Sequence, residues 1–192
     1  MKIKKLLNEE NHITLGAKMV PFAYYSMPIW YTSISDEHNC VRNNVGAFDV
    51  SHMGEFIVSG NESKEFLQKM TTNNIKSLEK GKVQYSSILN ESGGIIDDLL
   101  IYDLGENKYM LVVNASNIEK DIKWFHSKND FDVKINDRSD EFSLFAIQGP
   151  KSTDLTNKVF SEDFSKLKYY NFIEVQDENF GKVIVSSTGY TG

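Results

Sequence analysis

Hydrophobic and polar positions follow two different periods along this chain, and the switches between them mark its elements. "VQYSSIL" and "IIDDLLIY" read as strands, and the asparagine, serine and glycines of "NESGG" between them are turn formers, so a β-hairpin is expected. "EFIVSG", "KYMLVVN", "FDVKIND" and "FSLFAIQ" are further strands, and "KVIVSSTGYTG" is a strand running into a glycine turn. "TSISDEHNCVRNNVG" predicts a helix capped by Ser33, with Asp36 in its first turn and Gly46 as its stop. "NESKEFLQKMTTN" predicts a short helix capped by Asn61, with Phe66, Leu67 and Met70 as its buried stripe. In "SNIEKDIKWFHSK", Ser116 and Glu119 have capping-box spacing, and Ile118, Ile122 and Phe125 share a face. Pro150 suits the first turn of a helix reaching Val159. Antiparallel hairpins with isolated helices and no βαβ alternation make an α+β fold, antiparallel sheets with flanking helices.

The second strand of the hairpin carries two carboxylates, Asp97 and Asp98, inside a run of branched apolar residues. Alternate strand side chains point to opposite faces, so Asp98 goes with Ile96, Leu100 and Tyr102, and Asp97 with Ile95, Leu99, Ile101 and Asp103. If either face packs on a core, one carboxylate is buried or lines a cavity, where it must find donors or raise its pKa. Such a group is a candidate for binding or catalysis. The alternative has both aspartates solvated near the hairpin mouth. Parity does not choose between these readings, nor between the two aspartates.

Composition narrows the field. The chain has 192 residues, 40% hydrophobic and 25% charged, with a net charge of −6, which lends no support to nucleic-acid binding. No apolar run approaches the ~20 residues of a membrane span. "MKIKKLLNEENH" lacks the apolar core of a secretory signal, and its acidic residues argue against a transit peptide, so a cytoplasmic location is expected. The lone Cys40 excludes an internal disulfide and a cysteine-rich metal site.

Other clusters carry less chemistry. Asp49, Ser51 and His52 in "FDVSHMGEF" hold the residue types of a catalytic triad, but in an extended segment Ser51 and His52 point oppositely. Asp36, Glu37, His38 and Cys40 would be spread round a helix, leaving a solvated face with Cys40 buried; no metal is expected. "PFAYYSMPIWY" reads as core or as a proline-punctuated loop shaping a pocket. "STGYTG" lacks a GK[ST] ending or a following helix, so a turn fixing Tyr190 against a pocket is the better reading than a phosphate loop.

Taken together, "LGAKMVPFAYYSMPIWY", "FDVSHMGEF", "ESGGIIDDLLIY", "LVVNASNIEKD", "AIQGPK" and "STGYTG" stand in an order and spacing that strongly resemble the aminomethyltransferase, or T-protein, family of the glycine cleavage system, from Leu15 to Gly192. The resemblance implies transfer of the one-carbon unit of an aminomethyl group, carried on the lipoyl arm of H protein, to tetrahydrofolate. Ammonia is released and 5,10-methylenetetrahydrofolate formed. It also implies that the key carboxylate is Asp98, beside the folate nitrogens that receive the carbon. The other folate-pocket positions fall on Met53, Tyr85, Tyr102, Asn114 and Tyr190. Asp97 is then expected to be structural or solvated. The implied partners are lipoylated H protein and tetrahydrofolate, with neither nucleic acid nor membrane.

The chain departs from the family pattern in three places. Phe22-Ala23-Tyr24-Tyr25 stands where the family commonly has Phe-Ala/His-Gly-Trp, and Ser187 replaces an arginine often found before the TGYTG motif. The family also continues past "TGYTG", so this chain is expected to be truncated and inactive or marginally stable alone. The implied domains are a discontinuous first domain, 1–52 and 138–192, around an inserted domain, 53–137. The competing functions are a non-catalytic folate-binding accessory protein and a folate-dependent demethylase. Such accessory relatives carry a cysteine in the motif matching "STGYTG", and this chain does not.

Overall fold

In this computed structural model, residues 3–189 are described. In chain order the elements begin with β1 (Lys4–Lys5), α1 (Glu9–Thr14), β2 (Lys18–Phe22), β3 (Tyr25–Trp30), α2 (Ile34–Asn43) and β4 (Gly46–Asp49). They continue with β5 (Gly54–Ser59), α3 (Ser63–Met70), β6 (Val83–Leu89), β7 (Ile95–Gly105), β8 (Lys108–Val113), α4 (Ile118–Ser127) and β9 (Lys134–Asp137). The last are β10 (Phe145–Gln148), α5 (Ser152–Phe160), β11 (Phe172–Asp177) and β12 (Gly181–Ser186). Contacts divide the chain into two units. One takes in the residues up to His52, Ser143–Lys166 and Gly189, and the other Met53–Phe142 with Leu167–Thr188.

In the first unit, β2 and β3 form an antiparallel hairpin with β1 added parallel to β3. The aromatic stretch expected as core or a loop is therefore mostly strand. Its two-residue turn places both Ala23 (φ 45°) and Tyr24 (φ 69°) in the left-handed region, as the twist of a tight hairpin requires. β4 pairs antiparallel with β10. His12 of α1 ties three segments together: its Nε2 lies 3.0 Å from Asp49 Oδ2, and its Nδ1 lies 2.8 Å from the Tyr31 hydroxyl. Ser33 caps α2 as expected, accepting the Asp36 N–H at 3.1 Å. The helix stops earlier than expected, with Asn44 as its C-cap. Gly46 instead lies in β4, where a Cβ would meet Val41 Cγ2 at 2.5 Å. Cys40, expected to be buried, is exposed. Pro150 precedes α5 by two residues.

The second unit is built on a five-stranded antiparallel sheet in the order β6-β7-β8-β5-β9. The predicted hairpin is β6–β7, and Asn90 closes its turn by accepting the Ser92 and Gly94 N–H groups at 3.0 and 2.9 Å. One face of the sheet presents Phe56, Val58, Leu99, Ile101, Tyr109, Leu111 and Val113 to Phe66, Leu67 and Met70 of α3 and Phe125 of α4. Phe125 meets Phe66 and Phe56 at centroid distances of 5.9 and 6.4 Å. Burying each such ring contributes about 2–3 kcal/mol relative to exposure.

Both expected helix caps in this unit differ. α3 is preceded by Glu62, and the Asn61 amide reaches Asp132 at 3.4 Å. No capping box forms at α4: its N-cap is Asn117, which makes no capping bond because its amide is engaged elsewhere. The β11–β12 hairpin is grouped with this unit rather than with the first, where 138–192 was expected. Lys82 bridges Asn171, and the Tyr102 and Phe172 rings lie 5.3 Å apart.

Candidate functional site

Strand parity separates the two aspartates as the sequence requires. Asp97 lies on the core face and is 5% exposed, whereas Asp98 is half-buried on the opposite face. The solvated reading fails for Asp97, because Leu99 and Ile101 anchor that face in the core at 2% and 0% exposure.

Asp98 is held at both carboxylate oxygens. The Tyr85 hydroxyl donates to Oδ2 at 2.7 Å, reaching diagonally from β6, where Ser87 is the residue directly opposite Asp98. The Asn114 amide, just past β8, donates to Oδ1 at 3.1 Å and to the Asp98 backbone carbonyl at 3.2 Å. The bond to Asp98, with burial second, raises the Tyr85 pKa above the ordinary phenol value, since ionisation would lose the donor and set two anions together.

Beneath this set lies a second carboxylate group. Asp97 accepts the Asn114 amide at 2.9 Å, the Asn117 amide at 2.7 Å and the Asn114 backbone N–H at 3.3 Å. Burial works to raise the Asp97 pKa, but the neighbouring Asp121, Asn114 and Asn117 side chains outweigh that and the net shift is downward. Asp121 of α4 is fully buried, and neither of its carboxyl oxygens meets a partner at ordinary hydrogen-bond geometry among the described residues. Burial first, then the Asp97 carboxylate, pushes its pKa up to about 8, so near neutral pH it is a protonated acid.

Of the expected pocket residues, Tyr85, Asp98 and Asn114 thus form one hydrogen-bonded set. Tyr102 shares the Asp98 face, but its hydroxyl lies 3.2 Å from Ser186 Oγ and 3.5 Å from Thr188 Oγ1. Met53 is half-buried immediately before β5, whose Gly54 pairs with Val113, the residue before Asn114. Tyr190 lies outside the described residues.

Sequence reasoning passed over Asn117, Asp121 and Glu55. Glu55 is 3% exposed on the Asp98 face, since it pairs with Val112, which pairs with Leu100. Burial, with Asp137 second, raises its pKa to about 8. The available signal was parity: in "GEFIVS" the glutamate alternates with core residues Phe56 and Val58. No triad forms at "FDVSHMGEF". Ser51 Oγ is engaged by the Leu144 backbone, Asp49 by His12, and His52 Nδ1 is buried without a partner among the described residues. Among those residues, no set of three or more His, Cys, Asp or Glu is placed to hold a metal.

Comparison with known proteins interprets this geometry. The model of the GCVT N-terminal domain matches residues 9–192. The chain belongs to the GCVT N-terminal domain family. Curated members named aminomethyltransferase include those of Flavobacterium psychrophilum, 50% identical over 94% of this chain, and Thermosipho melanesiensis, 50% identical over 95%. That of Halothermothrix orenii is 47% identical over 99%. These matches cover 50%, 50% and 53% of the relatives, so the chain spans about half their length. The crystal structure of glycine cleavage system aminomethyltransferase T from Bartonella henselae superposes with a TM-score of 0.90 at 31% identity, over 99% of this chain and 51% of that one. The T-protein fold expected from the resemblance is therefore the fold observed. A heterotetrameric sarcosine oxidase from Corynebacterium, at 13% identity and a TM-score of 0.53, shares the fold alone. No helix among the described residues of this GCVT-family chain is long and apolar enough to cross a membrane.

Proposed function

We propose that this chain supplies the folate-facing wall of an aminomethyltransferase of the glycine cleavage system. The proposed reaction passes the one-carbon unit of an aminomethyl group, borne on the lipoyl arm of H protein, to tetrahydrofolate, with ammonia released and 5,10-methylenetetrahydrofolate formed. The observation that carries this reading is Asp98, held by Tyr85 and Asn114 on the same strand face as Tyr102. Tetrahydrofolate would supply the nucleophilic nitrogens. Asp98 would orient them by accepting their hydrogens and stabilise positive charge developing at the transferred carbon. The Tyr85 and Tyr102 rings suit a flat pterin and aminobenzoyl system, and Asn114 offers its carbonyl. Met53 and Tyr190 are assigned to the same pocket on the family resemblance.

The test is to supply the full-length protein with aminomethylated H protein and tetrahydrofolate and to follow ammonia. Ammonia release that is lost in Asp98→Asn is the expected result. Folate binding without ammonia points instead to an accessory binding protein, and methyl transfer from another donor to a demethylase.

A further inference from the structure

The geometry points to Asp97 as a positioning residue: together with Asn117 it clamps the Asn114 amide so that its NH2 faces Asp98 and its carbonyl is turned to the ligand. The functional half of this inference rests on the folate reading above; the structural half does not.

Three acceptor oxygens surround Asn114 Nδ2: Asp97 Oδ1 at 2.9 Å, Asp98 Oδ1 at 3.1 Å and the Asp98 carbonyl at 3.2 Å. None of these oxygens can donate while the carboxylates are ionised, so turning the amide over would set its oxygen against three others. The chemistry of the surroundings therefore dictates the orientation. With both amide hydrogens engaged, Asn114 Oδ1 is the group left over, and it makes no hydrogen bond among the described residues. Asp97 is what makes the arrangement rigid. One of its oxygens takes both side-chain amides and the other takes the Asn114 backbone N–H, so side chain and main chain of Asn114 are gripped by one buried carboxylate. The Asn117 amide, at 2.7 Å, holds the same Asp97 oxygen that accepts the Asn114 amide. The Asn114 NH2 thus bridges the two neighbouring side chains, bonded to one carboxylate oxygen of each. Asp97 has no route to the ligand face, so it acts only through Asn114.

Two measurements test this, the first on the 192-residue chain and the second on the full-length protein. In nitrogen-15 NMR, the Asn114 side-chain amide protons should be dispersed and slow to exchange in the wild type. They should collapse toward free-amide shifts in Asp97→Asn and move part-way in Asn117→Ala, a milder change that keeps the test open if Asp97→Asn does not fold. Unmoved Asn114 signals in the variants that fold overturn the clamp, whatever the protein binds. For the functional half, tetrahydrofolate affinity should fall about tenfold in Asp97→Asn and in Asn114→Ala, with no further loss in the double variant, as expected when one residue works through the other. Additive losses in the double variant would show that Asp97 acts by general destabilisation and overturn the positioning role. Failure of wild type to bind tetrahydrofolate, with the NMR result intact, would sink the folate reading and leave the clamp standing.

Discussion

The Tyr85 hydroxyl donates to Asp98 at 2.7 Å across the β6–β7 hairpin, although 49% of the tyrosine is exposed. A phenol at the surface is thus tied to the carboxylate on which the proposed chemistry depends. Tyr85 should titrate above an ordinary tyrosine, and Asp98→Asn should bring it down, because the anion that opposes phenolate formation is gone. Carbon-13 NMR of ring-labelled tyrosine across alkaline pH reads this directly. A Tyr85 titration indifferent to Asp98→Asn would contradict the bond.

Asp121 should make the protein less stable as pH rises. Its pKa is raised from 3.8 to about 8 on folding. Between those values the folded state holds a proton that the unfolded chain has lost, so stability falls across the window and the loss is complete above about pH 8. Asp121→Asn keeps the shape and cannot ionise. Urea melts should find it within about 1 kcal/mol of wild type near pH 4.5 and progressively more stable than wild type as the pH rises to 8. A gap that shrinks with rising pH would refute the assignment.

The neighbouring carboxylates should differ sharply in what they contribute to stability. Asp97→Asn leaves one carbonyl oxygen to serve three N–H donors and sets an NH2 against them, which should cost about 1–3 kcal/mol. Asp98→Asn, half-buried, should cost under about 1 kcal/mol. Chemical denaturation of the two variants side by side checks the order, and equal losses would count against the burial difference between them.

The β2–β3 turn stores strain that a single substitution should relieve. Tyr24 sits at φ 69°, a region that a bulky side chain occupies at a cost and glycine does not. Tyr24→Gly should raise stability by about 0.5–1 kcal/mol, seen as a higher melting temperature. The position is also where the resemblance expects a glycine. A lower melting temperature would show that the 52% exposed tyrosine ring gives more in packing than its backbone costs.

What could be read from the sequence, and what could not, follows from the range of the interactions involved. The β6–β7 hairpin and the apolar stripes of α3 and α4 were legible because alternation and helical spacing are local. The hairpin at Phe22–Tyr25 was not, because its turn has no glycine or asparagine to announce the left-handed backbone. Ser116 and Glu119 had the spacing of a capping box, but the Asn117 amide is drawn to Asp97, twenty residues back in sequence, and the cap does not form. Parity showed that Asp97 and Asp98 must part; only the three-dimensional register shows that Asp97 goes inward among amides and a second acid. The family resemblance singled out Asp98, Tyr85 and Asn114, which hydrogen-bond here, but said nothing of the groups behind them.

The fixed orientation of Asn114 has a consequence for discrimination by oxidation level. Its outward oxygen can only accept, so a ring nitrogen beside it is welcome when it carries hydrogen and leaves that oxygen unpaired when it does not. Reduction of a pterin adds hydrogens to its ring nitrogens. Under the proposed function, an amide unable to turn over would therefore distinguish the reduced carrier from its oxidised counterpart with no change in pocket shape.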